Sequence, residues 1–275
     1  MNIDEIGAVV LVGAGQMGMA LATGWLAAGL DRAKLTLVDP APRQSTVDFA
    51  KTNNLKLVDE APGQPFSVLV IAVKPQIIAP VMAQITPRIS SDTLIISIAA
   101  GISLNELYRG LGSKRIVRAM PNTPAQVKKG ASGAIAGSGV TEKNRIEADI
   151  LLSASGLVVW LGAESEMDAL TAVSGSGPAY VFLLVEAMAA AGVKQGLAEE
   201  TALMLARQTI IGAAGLLEAD PAPAAVLRKN VTSPNGTTAA ALAVLMAKDG
   251  LTDLMTKAIE AATKRSRELG EPKGG

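Results

Sequence analysis

The segment Asn230-Val231-Thr232-Ser233-Pro234-Asn235-Gly236-Thr237-Thr238 runs straight into the apolar sequence Ala-Ala-Ala-Leu-Ala-Val-Leu. Pro234, Asn235 and Gly236 are turn formers, and Thr237 and Thr238 fall where a helix must begin. A helix start offers unpaired backbone N–H groups and the positive end of the macrodipole, which suits a carboxylate or a phosphate. Hydroxyls at Thr237 and Thr238 beside such an end would hold a small anionic substrate. An ordinary N-cap after a turn has the same composition, so the loop gains meaning only beside a second functional segment.

That segment lies at the other end of the chain. An apolar run at 8–12 is followed directly by Gly13-Ala14-Gly15-Gln16-Met17-Gly18, and an Ala-rich stretch at 19–28 then reads as a helix. This is G-x-G-x-x-G in the strand–turn–helix setting that binds a nicotinamide or flavin dinucleotide. Gly13 permits the tight turn, Gly15 lets the backbone approach a pyrophosphate, and Gly18 lets the helix pack closely on its strand. A second strand at 35–38 ends at Asp39, 21 residues beyond Gly18. An acidic group there accepts hydrogen bonds from the adenosine ribose and repels an extra phosphate, which favours NADH. Arg43 stands four residues on and is able to bind that phosphate, so NADPH stays open.

Composition narrows the chemistry. The 275 residues carry 25 basic and 25 acidic side chains, no cysteine and no histidine. Zero net charge without a basic stripe argues against a nucleic-acid partner. Without Cys there is no disulfide, thiolate nucleophile or thiolate metal site, and no spaced carboxylate cluster suggests a metal. Dehydrogenases of alcohols and ketones need a general acid–base, most often His, sometimes Lys or Tyr. A chain with no imidazole and two tyrosines uses Lys or runs a reaction with little proton traffic. Reduction of an already protonated imine is of the second kind.

Mean hydropathy is high at +0.34, yet aromatics are only 3% of residues. Apolar runs such as 179–193 are interrupted by Glu186, and none reaches the roughly 18–20 uncharged residues of a membrane span. The acidic N-terminus lacks the basic region of a signal peptide. These features predict a cytoplasmic protein, off the membrane, whose excess apolar surface is covered by self-association.

Two regions organise the chain. Up to residue 164, strands and helices alternate: strands at 68–73, 94–98, 116–119, 134–136 and 157–160, helices at 43–53, 77–85 and 142–153. Continuous apolar strands belong to a parallel sheet buried on both faces, hence a doubly wound α/β domain over 1–164. From 165 to 275 helical periodicity takes over, with helices at 178–193, 199–217, 238–248 and 251–269, and the tail 270–275 is expected to be disordered. The 180–193 helix is apolar on nearly every side, which implies burial all round and so an intertwined dimer.

In open α/β sheets the ligand sits beyond the carboxyl ends of the strands. The segments there are 13–18, Asp39, Ala72-Val73-Lys74-Pro75, Ala99-Ala100-Gly101 and Met120-Pro121-Asn122-Thr123-Pro124. Small residues at 99–101 leave room for a flat nicotinamide ring. Lys74 stands ready to act on phosphate, ribose or substrate, and Asn122 is either a turn residue or a polar contact. In the helical part, Ser174-Gly175-Ser176-Gly177-Pro178 interrupts the periodicity. It is a turn between helices and a second candidate carboxylate nest, with Ser176 and the Gly177 amide as donors.

Taken together, VGAGQMG at 12–18, AVKPQ at 72–76, SIAAGIS at 97–103, RAMPNTPAQV at 118–127, AVSGSGPAYVF at 172–182 and NVTSPNGTTAAAL at 230–242 resemble the pyrroline-5-carboxylate reductases. The resemblance covers nearly the whole chain, and its last two motifs are the specific ones. It implies an N-terminal Rossmann domain, a helical C-terminal dimerisation domain, a ring of five dimers as the higher assembly, and a pocket completed by the partner subunit. It also implies a cyclic imine as substrate and NADH or NADPH as reductant. By motif, 233–238 would bind the substrate carboxylate, Thr238 would bond the imine or product amine, and Lys74 with Ala99 and Ala100 would flank the nicotinamide. The family's usual Gly-Gly is Asn235-Gly236 here, and Asn tolerates positive φ well enough to keep the turn. Asp39 replaces a small hydroxyl residue, which puts NADPH preference in doubt. A Lys-based hydroxyacid dehydrogenase would need a Gly-x-x-x-Lys-x-x-x-Asn pattern, which the start of the helical part lacks; a non-catalytic dinucleotide sensor is the other alternative.

Overall fold

The computed structural model describes residues 1–63 and 65–270. The chain divides into two units. The first holds Met1–Gly175 and, among the described residues, 263–270; the second is Ser176–Ala262.

The first unit is built on one sheet with strand order β3-β2-β1-β4-β5-β6-β7-β8. The strands are β1 Val9–Val12, β2 Leu35–Val38, β3 Lys56–Val58, β4 Val68–Ile71, β5 Leu94–Ser97, β6 Ile116–Met120, β7 Gly130–Ala136 and β8 Gly156–Trp160. β3 to β6 of that order pair in parallel, β7 turns antiparallel against β6, and β8 runs parallel to β7. The chain winds outward through β2 and β3, then returns to place β4 beside β1, so the strand order reverses between β1 and β4. That reversal opens the ligand crevice of a doubly wound fold, as the alternating elements predict.

The helices are α1 Gln16–Ala27, α2 Gln44–Thr52, α3 Ile78–Ile85, α4 Leu104–Leu111, α5 Glu142–Ser153 and α6 Met167–Leu170 in the first unit. α7 Gly177–Lys194, α8 Glu199–Ala219, α9 Ala224–Asn230 and α10 Thr237–Leu245 belong to the second, and α11 Leu251–Gly270 supplies residues to both. β1, β4 and β5 are buried at every position, which explains their continuous apolar sequences. Alternate residues serve opposite faces. Val9, Leu11, Val68, Val70, Leu94 and Ile96 pack with Leu21 and Trp25 of α1. Val10, Leu69, Ile71 and Ile95 pack with Ile78 of α3 and Leu107 of α4. Each such side chain contributes about 1.5–3 kcal/mol by leaving water, so the sheet fixes the strand ends as a rigid platform.

Several elements go beyond the sequence expectations. β3 is a three-residue edge strand with half-exposed side chains, too short for a periodicity signal. α4 is framed by a capping box, Ser103 Oγ accepting from the Glu106 N–H and Glu106 returning to the Ser103 N–H, and by left-handed Gly112. α9 is a seven-residue helix. The expected turn at 174–178 is a different object. Thr171–Gly175 forms one turn of π-helix, and Ser176 keeps helical angles of −85° and −22° before α7. Pro178 has no N–H, so it cannot donate to the carbonyl four residues back, and the helical ladder widens instead of ending. As for the tail, Gly270 ends α11, and 271–275 lie outside the described residues.

In the second unit α7 packs along α8. A Cβ on Gly192 would lie 3.3 Å from that of Ala202, so small residues bring the two helices close. Much of the apolar surface faces outward: Phe182, Leu183, Met204 and Leu216 are about two-thirds exposed. By length and composition, tolerating up to two charges, Glu164–Lys194 and Glu199–Ala219 are long and apolar enough to cross a membrane. Counting uncharged runs alone misses this. Helices with such faces are equally those that a second subunit covers.

Candidate functional site

In the first unit the candidate residues gather at the carboxyl ends of β1, β2, β4, β5 and β6. Gly13 leaves β1 with φ +93°, a left-handed conformation that favours glycine. Its N–H donates to Val38 O (2.9 Å), and a Cβ there would lie 2.7 Å from Ala72 O and 2.8 Å from Val73 Cγ1. Ala72 and Val73 therefore form the floor beneath the turn. A Cβ on Gly18 would lie 2.2 Å from Gly13 O, so this glycine serves helix–turn packing.

Gly15 differs from both. Its Cβ would meet no protein atom within 4 Å, and its φ of −74° needs no glycine. Nothing in the protein demands glycine here; an incoming group at the start of α1 would. Gly15 is the N-cap of α1 without a side-chain capping bond, and Gly15 and Gln16 are exposed, with Met17 half-buried. The first-turn N–H groups of α1 thus face outward beside an open cradle, and that geometry fits a dinucleotide pyrophosphate.

The turn is clamped from β2. Asp39 Oδ2 accepts the Ala14 N–H (3.2 Å) and Oδ1 accepts the Ala41 N–H (3.0 Å). Buried Thr46 of α2 donates to Ala14 O (2.9 Å). Thr46 carries no motif signal and is visible only in three dimensions. Asp39 consequently fixes the turn in addition to standing where a ribose would bind.

Lys74 is exposed and extended at the end of β4, with Pro75 opening a short 3-10 turn, Pro75–Ile77. After β5, Ala99 is buried, Ala100 exposed, and Gly101 has φ +74°. After β6, Asn122 is 9% exposed. Its Nδ2 donates to Ser174 O (3.0 Å) and its Oδ1 accepts the Ala131 N–H (2.8 Å). The side chain is committed to holding the loop, β7 and the π turn together, which is the turn-residue alternative of the sequence reading.

The second unit presents the threonine loop. Asn235 has φ +59°, so it occupies the left-handed position that the substitution for glycine requires. The Gly236 N–H donates to Ser233 O (3.1 Å), which closes the turn. Gly236, not a threonine, is the N-cap of α10, and no side chain caps it. Thr237 and Thr238 are the first two helical residues, one exposed and one half-buried. Their N–H groups and hydroxyls are at the start of a nine-residue helix, the arrangement that takes a carboxylate. Ser176 likewise heads α7 without a capping bond, and a Cβ on Gly177 would meet no protein atom within 4 Å. Among the described residues, no three acidic side chains gather to hold a metal ion.

Known proteins carry the same architecture. A family model described as pyrroline-5-carboxylate reductase dimerisation matches residues 164–269, and one described as NADP oxidoreductase, coenzyme F420-dependent, matches 8–101. A pyrroline-5-carboxylate reductase of Pseudomonas aeruginosa is 42% identical over 97% of this chain and 98% of its own. The solved structure of a pyrroline-5-carboxylate reductase from Coxiella burnetii superposes with a TM-score of 0.90 at 33% identity, covering 98% of this chain and all of that one. Plasmodium falciparum pyrroline carboxylate reductase, solved with NADP bound, matches at a TM-score of 0.81 and 32% identity over 98% of this chain and 99% of that one. With identity of this level along its whole length, the chain belongs to the pyrroline-5-carboxylate reductase family.

Proposed function

We propose that this protein reduces 1-pyrroline-5-carboxylate to L-proline with NADH or NADPH, the last step of proline biosynthesis. The observation that carries the reading is the uncapped start of α10 behind the left-handed Asn235, in a chain that also opens α1 at an uncapped glycine turn. When bound, the reduced nicotinamide supplies the hydride. Gly13, Ala14, Gly15, Gln16, Met17 and Gly18 take the pyrophosphate, and Asp39 takes the ribose over the floor of Ala72, Val73 and Pro75. Lys74, Ala99, Ala100 and Gly101 flank the nicotinamide, and Asn122 holds the adjoining loop. Ser233, Asn235, Gly236, Thr237 and Thr238 hold the substrate carboxylate, with Ser176 and Gly177 as further donors. Thr238 bonds the nitrogen.

These roles suit a chain without histidine. The imine nitrogen arrives protonated, so addition at the neighbouring carbon leaves a neutral amine and no oxyanion. The protein's task is orientation, which for well-placed reactants supplies about 7–11 kcal/mol of barrier lowering. Residues 165–275 act as the substrate-binding and dimerising part and 1–164 as the dinucleotide-binding part. The exposed apolar faces of α7 and α8 are covered by a second subunit in the cytoplasm, off the membrane, and five dimers close into a ring.

The test is an assay of the purified protein with 1-pyrroline-5-carboxylate and each reduced dinucleotide, scored as L-proline formed. Oxidation of 3-hydroxyacids with no imine turnover would replace the reading with a hydroxyacid dehydrogenase. Tight dinucleotide binding with no turnover would replace it with a sensor.

A further inference from the structure

The loop after β5 carries a frame that the reaction itself does not require. On one side, Glu164 Oε1 accepts the Leu104 N–H (2.8 Å) and a charge-assisted bond from Arg118 Nη1 (2.5 Å). On the other, the last turn of α11 lies beside Gly101. A Cβ on Gly101 would be 3.5 Å from Leu269 O, and one on Gly270 would be 3.4 Å from Gly101 O. A methyl group on either glycine would therefore just fill the space between the two backbones. Gly101 is left-handed and intrinsically permissive, so its position depends on what presses against it.

Asp168 ties the end of α11 to α6. Asp168, one helical turn beyond Glu164, accepts a hydrogen bond at Oδ1 from Ser266 Oγ (2.7 Å), across 98 residues of sequence. Its side chain is 25% exposed. Its Oδ2 also faces Arg267 Nε at 3.9 Å, but that arginine is 66% exposed. Screening leaves the ion pair little weight. The Ser266 bond is the stronger anchor.

We propose that Asp168 is a positioning residue for the reduced dinucleotide: by holding Ser266 it seats the end of α11 on Gly101 and fixes the loop that flanks the nicotinamide. This rests on the functional reading above, which places 99–101 beside that ring. It also gives the far end of the chain a task in the dinucleotide-binding unit.

The experiment measures the affinity of NADH and of NADPH by nicotinamide fluorescence, together with thermal unfolding, for wild type, Asp168→Ala, Asp168→Asn and Ser266→Ala, and compares variants on the dinucleotide that the wild type binds more tightly. Asp168→Ala and Ser266→Ala should each weaken that dinucleotide about three- to tenfold, the worth of one hydrogen bond. Asp168→Asn keeps the acceptor and should bind within about twofold of wild type. Unchanged affinity in Ser266→Ala and Asp168→Ala, with only a lower unfolding temperature, would overturn the proposal. So would an Asp168→Asn variant as weak as the alanine, since charge and not the bond would then matter. Should Asp168→Ala fail to fold, Ser266→Ala decides alone. A wild type that binds neither reduced dinucleotide would sink the functional reading and this inference together; variants matching a wild type that binds would sink this inference alone.

Discussion

Asn122 Nδ2 donates to Ser174 O across 3.0 Å, and that carbonyl is the one that Pro178 leaves without its helical donor. One asparagine thus repairs the gap that a proline makes, and its Oδ1 ties the same loop to Ala131 of β7. The π turn at Thr171–Gly175 is stabilised from the sheet side and need not be read as strain.

Asn122→Ala orphans a carbonyl and an N–H together. A fully buried unsatisfied group costs about 1–3 kcal/mol; Ser174 and Ala131 are half-buried, so urea unfolding should show a loss toward the lower end of that range for each. Asn122→Asp retains the acceptor for Ala131 but sets a carboxylate oxygen against Ser174 O, and it should be no better than alanine. Wild-type stability in the aspartate variant would show that the Ser174 bond contributes nothing.

Two glycines of one motif should fail differently. Gly18→Ala places a Cβ 2.2 Å from Gly13 O and should destabilise the fold. Gly15→Ala meets no protein atom, so its stability should stay within about 0.5 kcal/mol of wild type. Its NADH affinity should fall at least about tenfold, or about 1.4 kcal/mol. Equal affinity in Gly15→Ala would place the pyrophosphate elsewhere.

Asp39 is expected to bias the choice of dinucleotide. If Asp39 stands at the ribose, replacing it with serine removes a negative charge there and leaves Arg43 free to engage an added phosphate. The ratio of kcat/KM for NADPH over NADH should rise about tenfold or more, which is about 1.4 kcal/mol. An unchanged ratio would confine Asp39 to its bonds with Ala14 and Ala41.

Thr238→Ala should lower kcat/KM for the imine about tenfold to a few hundredfold, the worth of one or two good hydrogen bonds. Dinucleotide affinity should be nearly unchanged. Wild-type turnover in this variant would remove Thr238 from the site.

The parallel core was legible because strands buried on both faces must be apolar without interruption, as β1, β4 and β5 are. The glycine turn and the left-handed Asn235 were legible because few residue types fit those conformations. α4 does carry a local signal, Ser103 and Glu106 in capping-box spacing with Gly112 behind them. β3 left none, since three residues at a sheet edge have no period. The π turn was hidden because a proline near a helix start ordinarily marks a beginning. Contacts such as Asp168 with Ser266 and Thr46 with Ala14 join distant segments, and no local pattern encodes them.

In the proposed reaction the loop 233–238 receives the acid end of the substrate while the turn 13–18 receives the dinucleotide. A crystal structure of the protein with NADP and L-proline bound addresses it directly. The proline carboxylate is expected against the N–H groups of Thr237 and Thr238, its nitrogen at the Thr238 hydroxyl, and the pyrophosphate at the start of α1. A carboxylate bound away from α10, with the threonine loop empty, would contradict the claim.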